Sequence, residues 1–146
     1  MFRGSAPTKI DDKGRLKVPT EFRRQLDERW GGDLFVTSVD GSSAFLYPLA
    51  VWEEVEQRLM SMPSTNSVRR RFLERVSYYG QQVSLDAQGR LVVPQILRDA
   101  AGMEGEVVVS GRLDHLVVWN RERFETRLDD EPFTEEDFGV LSEFGI

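Results

Sequence analysis

The chain has no cysteine. That excludes disulfides, thiolate metal sites and cysteine nucleophiles, and it suits a reducing cytosol. Histidine occurs once, as His115 in "RLDHLVVW". A lone histidine offers neither a triad nor a metal cluster. No GxxxxGK phosphate loop is present. Ser42 and Ser43 lie in a turn with no base beside them, and turn chemistry accounts for Asp11 and Asp12 next to Gly14. No enzyme, cofactor, metal or small-molecule substrate is therefore expected. Apolar runs of about 18 residues are also missing, so no membrane partner is expected. The first fifteen residues hold no apolar segment of the signal-peptide kind.

An excess of positive charge is lacking too. The formal charge of the 146 residues is −6. Its distribution matters more than its total. Residues 122–146 carry two arginines against nine acids, a net of −7, which leaves residues 1–121 at +1. Within these, residues 1–29 hold eight basic and five acidic groups. A local basic patch binds a polyanion whatever the total charge. The acidic end either competes for that patch or keeps the protein soluble.

What the chain does have is a repetition. "DDKGRLKVP" (11–19) returns as "DAQGRLVVP" (86–94) after a shift of 75 residues. Two copies are too few for a solenoid, so a pseudo-twofold pair within one chain is expected. In each copy an aspartate opens a four-residue turn that ends on glycine, which suits a type I turn closing on a left-handed residue. A proline follows where a helix can begin, then a helical stripe: Phe22, Leu26 and Trp30 in the first copy, "PQILRDAAG" in the second. Two β-rich runs complete each unit, "LFVTSV" and "AFLYP", then "VVVSG" and "LVVW". Each unit reads as hairpin, helix, hairpin.

Four segments result. Residues 5–50 form unit 1 and residues 79–123 form unit 2. A helical connector spans 51–78, with Trp52, Val55, Leu59 and Met62 on one stripe and Val68, Phe72 and Val76 on the next. Pro63 separates the stripes and Ser64 is placed to cap the second. Residues 124–146 form an acidic C-terminal segment: "RERFETRL" after Trp119 reads as a short helix, and 129–146, with scattered Phe138, Leu141 and Phe144, as either a docked helix or a loose tail.

"MFRG", "DDKGRLKVPTEFR", "FLYPLAVWEEVEQRL" and "DAQGRLVVPQILR" together resemble the MraZ family, within the SpoVT-AbrB group of DNA-binding domains. The likeness runs to about Leu128. It implies an α+β fold of two swapped-hairpin βαβ units forming a pseudo-twofold barrel with connecting helices. It implies a transcriptional regulator at its own promoter and at the division and cell-wall gene cluster. The regulator would bind tandem repeats in double-stranded DNA as a homo-oligomeric ring, in the cytoplasm at the nucleoid. In the family a D-x-x-x-R motif carries DNA contact, which falls here on Asp11 with Arg15 and on Asp86 with Arg90.

The residues themselves agree in part. Arg15 sits at the lip of a hairpin, where it can reach a guanine edge or a phosphate, or else simply pair with Asp11. Lys13 and Lys17 suit phosphate contacts. Arg90 has fewer basic neighbours, since Gln88 and Val92 replace those lysines. Arg3 and Lys9 flank the first hairpin as possible extensions of the patch. Asp11, Gly14, Asp86 and Gly89 form the turns and orient the arginines. Arg23 and Arg98 recur at equal spacing, for DNA or for helix-face ion pairs. Arg69–Arg71 read as a solvated or intersubunit face ahead of a DNA contact. A second class of function stays open, an oligomeric interaction module whose tail binds a partner protein as antitoxins do.

Overall fold

A computed structural model describes all 146 residues. Unit 1 holds β1 (Ser5–Ile10), β2 (Arg15–Lys17), α1 (Thr20–Arg29), β3 (Asp33–Thr37) and β4 (Ala44–Pro48). The connector is α2 (Leu49–Met60) and α3 (Ser67–Tyr78). Unit 2 holds β5 (Gln81–Ser84), β6 (Arg90–Val92), α4 (Gln95–Ala101), β7 (Gly105–Arg112) and β8 (His115–Asn120). Then come α5 (Arg121–Asp130) and α6 (Glu135–Ser142). The fold is α+β, as expected. Its eight strands form one nearly closed antiparallel sheet in the order β5-β3-β4-β8-β7-β1-β2-β6.

The order exposes the pseudo-twofold. β1 pairs with β7 of the other unit, and β5 pairs with β3. β2 pairs with β6, and β4 with β8. Each unit therefore completes its sheet with strands of the other, which is a swapped-hairpin barrel. The inward residues of both units make one core: Leu16, Val18, Leu26 and Leu34 of the first meet Leu91, Val93, Leu97 and Val107 of the second. Strands of only three residues cannot bury enough by themselves. Their stability comes from this shared interior.

The chain start belongs to that interior. Phe2 is fully buried, with its ring 5.1 Å from Trp30 and 6.0 Å from Phe22. Its N–H donates to the Leu113 carbonyl at 2.6 Å, and Leu113 donates back at 3.1 Å. Gly111 makes the approach possible, because a Cβ there would lie 2.5 Å from the Phe2 carbonyl carbon.

Several sequence expectations change in detail. α3 is capped by Asn66, not Ser64: the Asn66 side chain accepts from the N–H groups of Val68 and Arg69. Val68 stands mostly exposed at the first turn instead of joining the buried stripe. The second hairpin is opened. No ladder joins β5 to β6, and one turn bond from the Asp86 N–H to the Arg90 carbonyl bridges them. β5 is drawn along β3 instead, where Leu85 continues the pairing by donating to the Gly32 carbonyl. The acidic end is helical in two parts: α5 docks on β8, with the Phe124 ring stacked 5.7 Å from Trp119, whereas α6 buries no residue. No helix is long and apolar enough to cross a membrane.

Candidate nucleic-acid interface

The two repeated motifs meet at the centre of the swap. In the β2–β6 ribbon Leu16 lies opposite Leu91, both pointing inward. Side chains alternate across a strand, so the neighbours of these leucines point outward. Arg15 lies opposite Val92, and Lys17 opposite Arg90. Arg15 and Arg90 are diagonal neighbours on one face, about 7–8 Å apart by strand geometry. The ribbon is locked at both ends: Val18 donates to the Gly89 carbonyl at 3.0 Å, and Val93 donates to the Gly14 carbonyl at 2.9 Å.

Each turn is built by its aspartate. Asp11 Oδ1 accepts from the N–H of Lys13 at 3.0 Å and of Arg15 at 2.8 Å. Asp86 Oδ1 does the same for Gln88 at 2.8 Å and Arg90 at 2.9 Å. Gly14 and Gly89 adopt φ of +80° and +75°, the left-handed region that the turn requires. The other carboxylate oxygen takes the arginine. Arg15 Nε donates to Asp11 Oδ2 at 2.6 Å, and Arg90 Nε to Asp86 Oδ2 at 3.3 Å. Holding Nε fixes the guanidinium plane and leaves both Nη groups for a ligand.

The Arg15 backbone N–H, above all, holds the Asp11 carboxyl below the usual range, and the Arg15 side chain adds to this. The Arg90 N–H does the same for Asp86, helped by that of Gln88. A depressed folded pKa stabilises the fold above the unfolded value near 3.9, and the contribution vanishes as pH falls through the folded value. Thermal melts between pH 7 and pH 2 should show it. The variant Asp11→Asn/Asp86→Asn is expected to melt below wild type at neutral pH and alongside it in strong acid.

Two arginines brace the turns from the opposite unit. A Cβ on Gly14 would meet the Arg98 guanidinium at 2.5 Å, and one on Gly89 would meet the Arg23 side chain at 2.7 Å. Arg23 Nη2 donates to the Ala87 carbonyl at 3.0 Å, and Arg98 Nε to the Val93 carbonyl at 3.0 Å. Their equal spacing in sequence thus reflects a reciprocal support. The ion pair expected on the helix face is weak, with Arg23 Nε 3.8 Å from Asp27.

The remaining candidates are placed unequally. Lys13 projects from the first turn, exposed. Lys9 is exposed on β1, but Glu106 of β7 lies directly opposite it. Arg3 is exposed beyond the far end of β1, away from the turn, and the structure does not bring it to the ribbon. Arg69 bonds the Leu59 carbonyl and Arg70 pairs with Glu74, both within the helical connector. His115 opens β8, stacked 4.4 Å from Tyr47 with Nδ1 2.8 Å from Asp114. Burial raises the Tyr47 hydroxyl pKa. Sequence reasoning missed Val92 as a feature of the site. It is about half exposed on the cationic face, opposite Arg15. Its signal was visible as the valine that replaces Lys17 in the second motif.

This geometry defines a class: a single-chain swapped-hairpin barrel that displays a cationic two-stranded ribbon. The family model described as "MraZ protein, putative antitoxin-like" matches residues 1–75 and 80–138. A "Transcriptional regulator MraZ" of Acidobacterium capsulatum is 50% identical over 146 residues, covering 100% of both chains. One of Koribacter versatilis is 48% identical over 147 residues, again with 100% of both covered. One of Escherichia coli is 37% identical over 121 residues, 82% of this chain and 80% of that one. The chain belongs to the MraZ family.

Proposed function

We propose that the protein is a sequence-specific transcriptional regulator that sets the β2–β6 ribbon into the major groove of double-stranded DNA. One observation carries this reading: the outward face of the ribbon presents Arg15, Lys17, Arg90 and Val92, with no carboxylate among its strand residues. The major groove admits a two-stranded ribbon. The Nη groups of Arg15 and Arg90 suit the O6/N7 edge of guanine, and Val92 suits a thymine methyl. Lys13 and Lys17 supply phosphate contacts that set the register. The first motif takes the larger electrostatic share, because Lys13 and Lys17 correspond to Gln88 and Val92 in the second. The relatives' name as transcriptional regulators supports the reading.

In this reading the targets are tandem repeats upstream of the protein's own gene and of the division and cell-wall cluster. A homo-oligomeric ring at the nucleoid engages several repeats at once, so modest single contacts multiply into firm binding. The test is fluorescence anisotropy on DNA from upstream of the gene, with a shuffled duplex of equal length, at two salt concentrations. Preference for the native duplex at the higher salt is expected. Equal binding to both that vanishes with salt would reduce the ribbon to a non-specific polyanion surface.

A further inference from the structure

The chain ends in a helix that buries no residue. Phe133, Phe138, Val140, Phe144 and Ile146 around α6 are each more than half exposed. The helix is nonetheless well built. Thr134 and Asp137 form a reciprocal capping box, and the Phe133 ring packs edge-on against Phe138 at 4.8 Å. From Asp129 to Ile146 there are seven acids and no basic residue. A preformed apolar and acidic surface of this kind marks an interaction site.

The α2–α3 hairpin carries the complement. An open groove of about 240 Å³ between its helices is lined by Val55, Leu59, Val68 and Phe72, with Arg58 and Arg69 at its rim. From Gln57 to Arg71 there are four arginines and no acid. Arg70 pairs with Glu74, while Arg58 and Arg71 face solvent. Within one chain the two surfaces are set apart at their roots. α2 follows β4 and α5, which leads to α6, follows β8; these strands are antiparallel neighbours, so the helices leave opposite ends of the sheet.

We infer that α6 of one protomer docks in the α2–α3 groove of a second copy. Phenylalanines fill the apolar floor and the acids of the segment meet the arginines of the hairpin. Each protomer offers one helix and one groove, so the contact is heterologous and repeats until it closes on itself. The inference deepens the proposed oligomeric regulator by naming its interface, and it rests on that reading for its use but not for its geometry.

Sedimentation of the full chain tests it. A groove variant carries Arg58→Glu with Val68→Asp, and a helix variant carries Phe138→Asp with Leu141→Asp. All four positions are exposed or half-buried, and an unchanged melting temperature verifies the fold. Wild type is expected to sediment as a multi-protomer assembly and each variant alone as a monomer. Mixed in equal amounts the variants should form a dimer and nothing larger, through the one intact helix and the one intact groove. Variants that assemble as wild type does, a mixture that stays monomeric, or a wild type that is monomeric at tens of micromolar would each overturn the inference. The last outcome would leave α6 to a foreign partner. Both variants keep Arg15, Lys17 and Arg90, so their anisotropy on a duplex holding a single repeat reads the DNA proposal separately from assembly.

Discussion

Replacing Arg15 by alanine is expected to weaken binding to the native upstream duplex at least tenfold while leaving thermal unfolding nearly unchanged. A bidentate arginine contact to a base is worth roughly 1–3 kcal/mol, or about 5- to 150-fold in affinity. Repetition around an oligomer enlarges the loss, since every protomer loses the same contact. The folding cost is small for a structural reason. The Arg15 and Asp11 side chains are 37% and 35% exposed, and an ion pair so open to solvent contributes little to stability. The turn does not depend on the guanidinium. Asp11 Oδ1 accepts from backbone N–H groups, and Gly14 donates to the Asp11 carbonyl at 3.0 Å. All of these survive in Arg15→Ala. Arg90→Ala is expected to lose less, because its turn neighbour is Gln88 and its strand neighbour is Val92. Anisotropy and a thermal melt on the same samples check both halves. A collapse in melting temperature would make Arg15 a structural partner of Asp11 and nothing more.

Phe2→Ala is expected to have the largest effect on stability. Its side chain is fully enclosed and in contact with two further aromatic rings. Removing a buried phenylalanine costs about 3–5 kcal/mol, part in lost transfer energy and part in the cavity left behind. In a chain of this size that lowers the melting temperature by roughly 6–20 °C. The site cannot readily collapse. The Phe2 backbone is clamped to Leu113 from both sides, and its close approach already uses the missing side chain of Gly111. Calorimetry on the two proteins decides it. A shift of only a degree or two would mean that the terminus detaches at little cost and the barrel stands without it.

The repeat was legible because its chemistry is local. A turn closing on a left-handed residue needs an aspartate and a glycine at set positions, and those letters appear twice. The helical hairpin was legible from its stripes, and the turn at Asp40–Ser43 from its residues. The partners across the swap were not. That Leu16 faces Leu91, or that Arg98 covers Gly14, depends on contacts between residues some 75–84 positions apart. No local pattern encodes such pairing. For the same reason the sequence did not show that Glu106, on a strand from the other unit, lies opposite Lys9. The basic residues of the first motif were all read from sequence, but only the fold separates Lys13, Lys17 and the two arginines from the distant Arg3. Val92 was read as a missing charge, and its exposure beside Arg15 emerges only once β2 pairs with β6. The missing ladder between β5 and β6 was not legible either, because the two turns are built alike and β1 and β5 both pair with the other unit. α6 was undecided between docked and loose because none of its apolar residues is buried in the barrel.

The most direct measurement compares wild type with Arg15→Ala/Arg90→Ala by anisotropy on the native upstream duplex and its shuffled control, at low and high salt. Wild type is expected to prefer the native duplex at the higher salt. The double variant should bind both duplexes alike and weakly, with a shallower dependence on salt. A double variant that still discriminates as well as wild type would contradict the central claim and move recognition away from the β2–β6 ribbon.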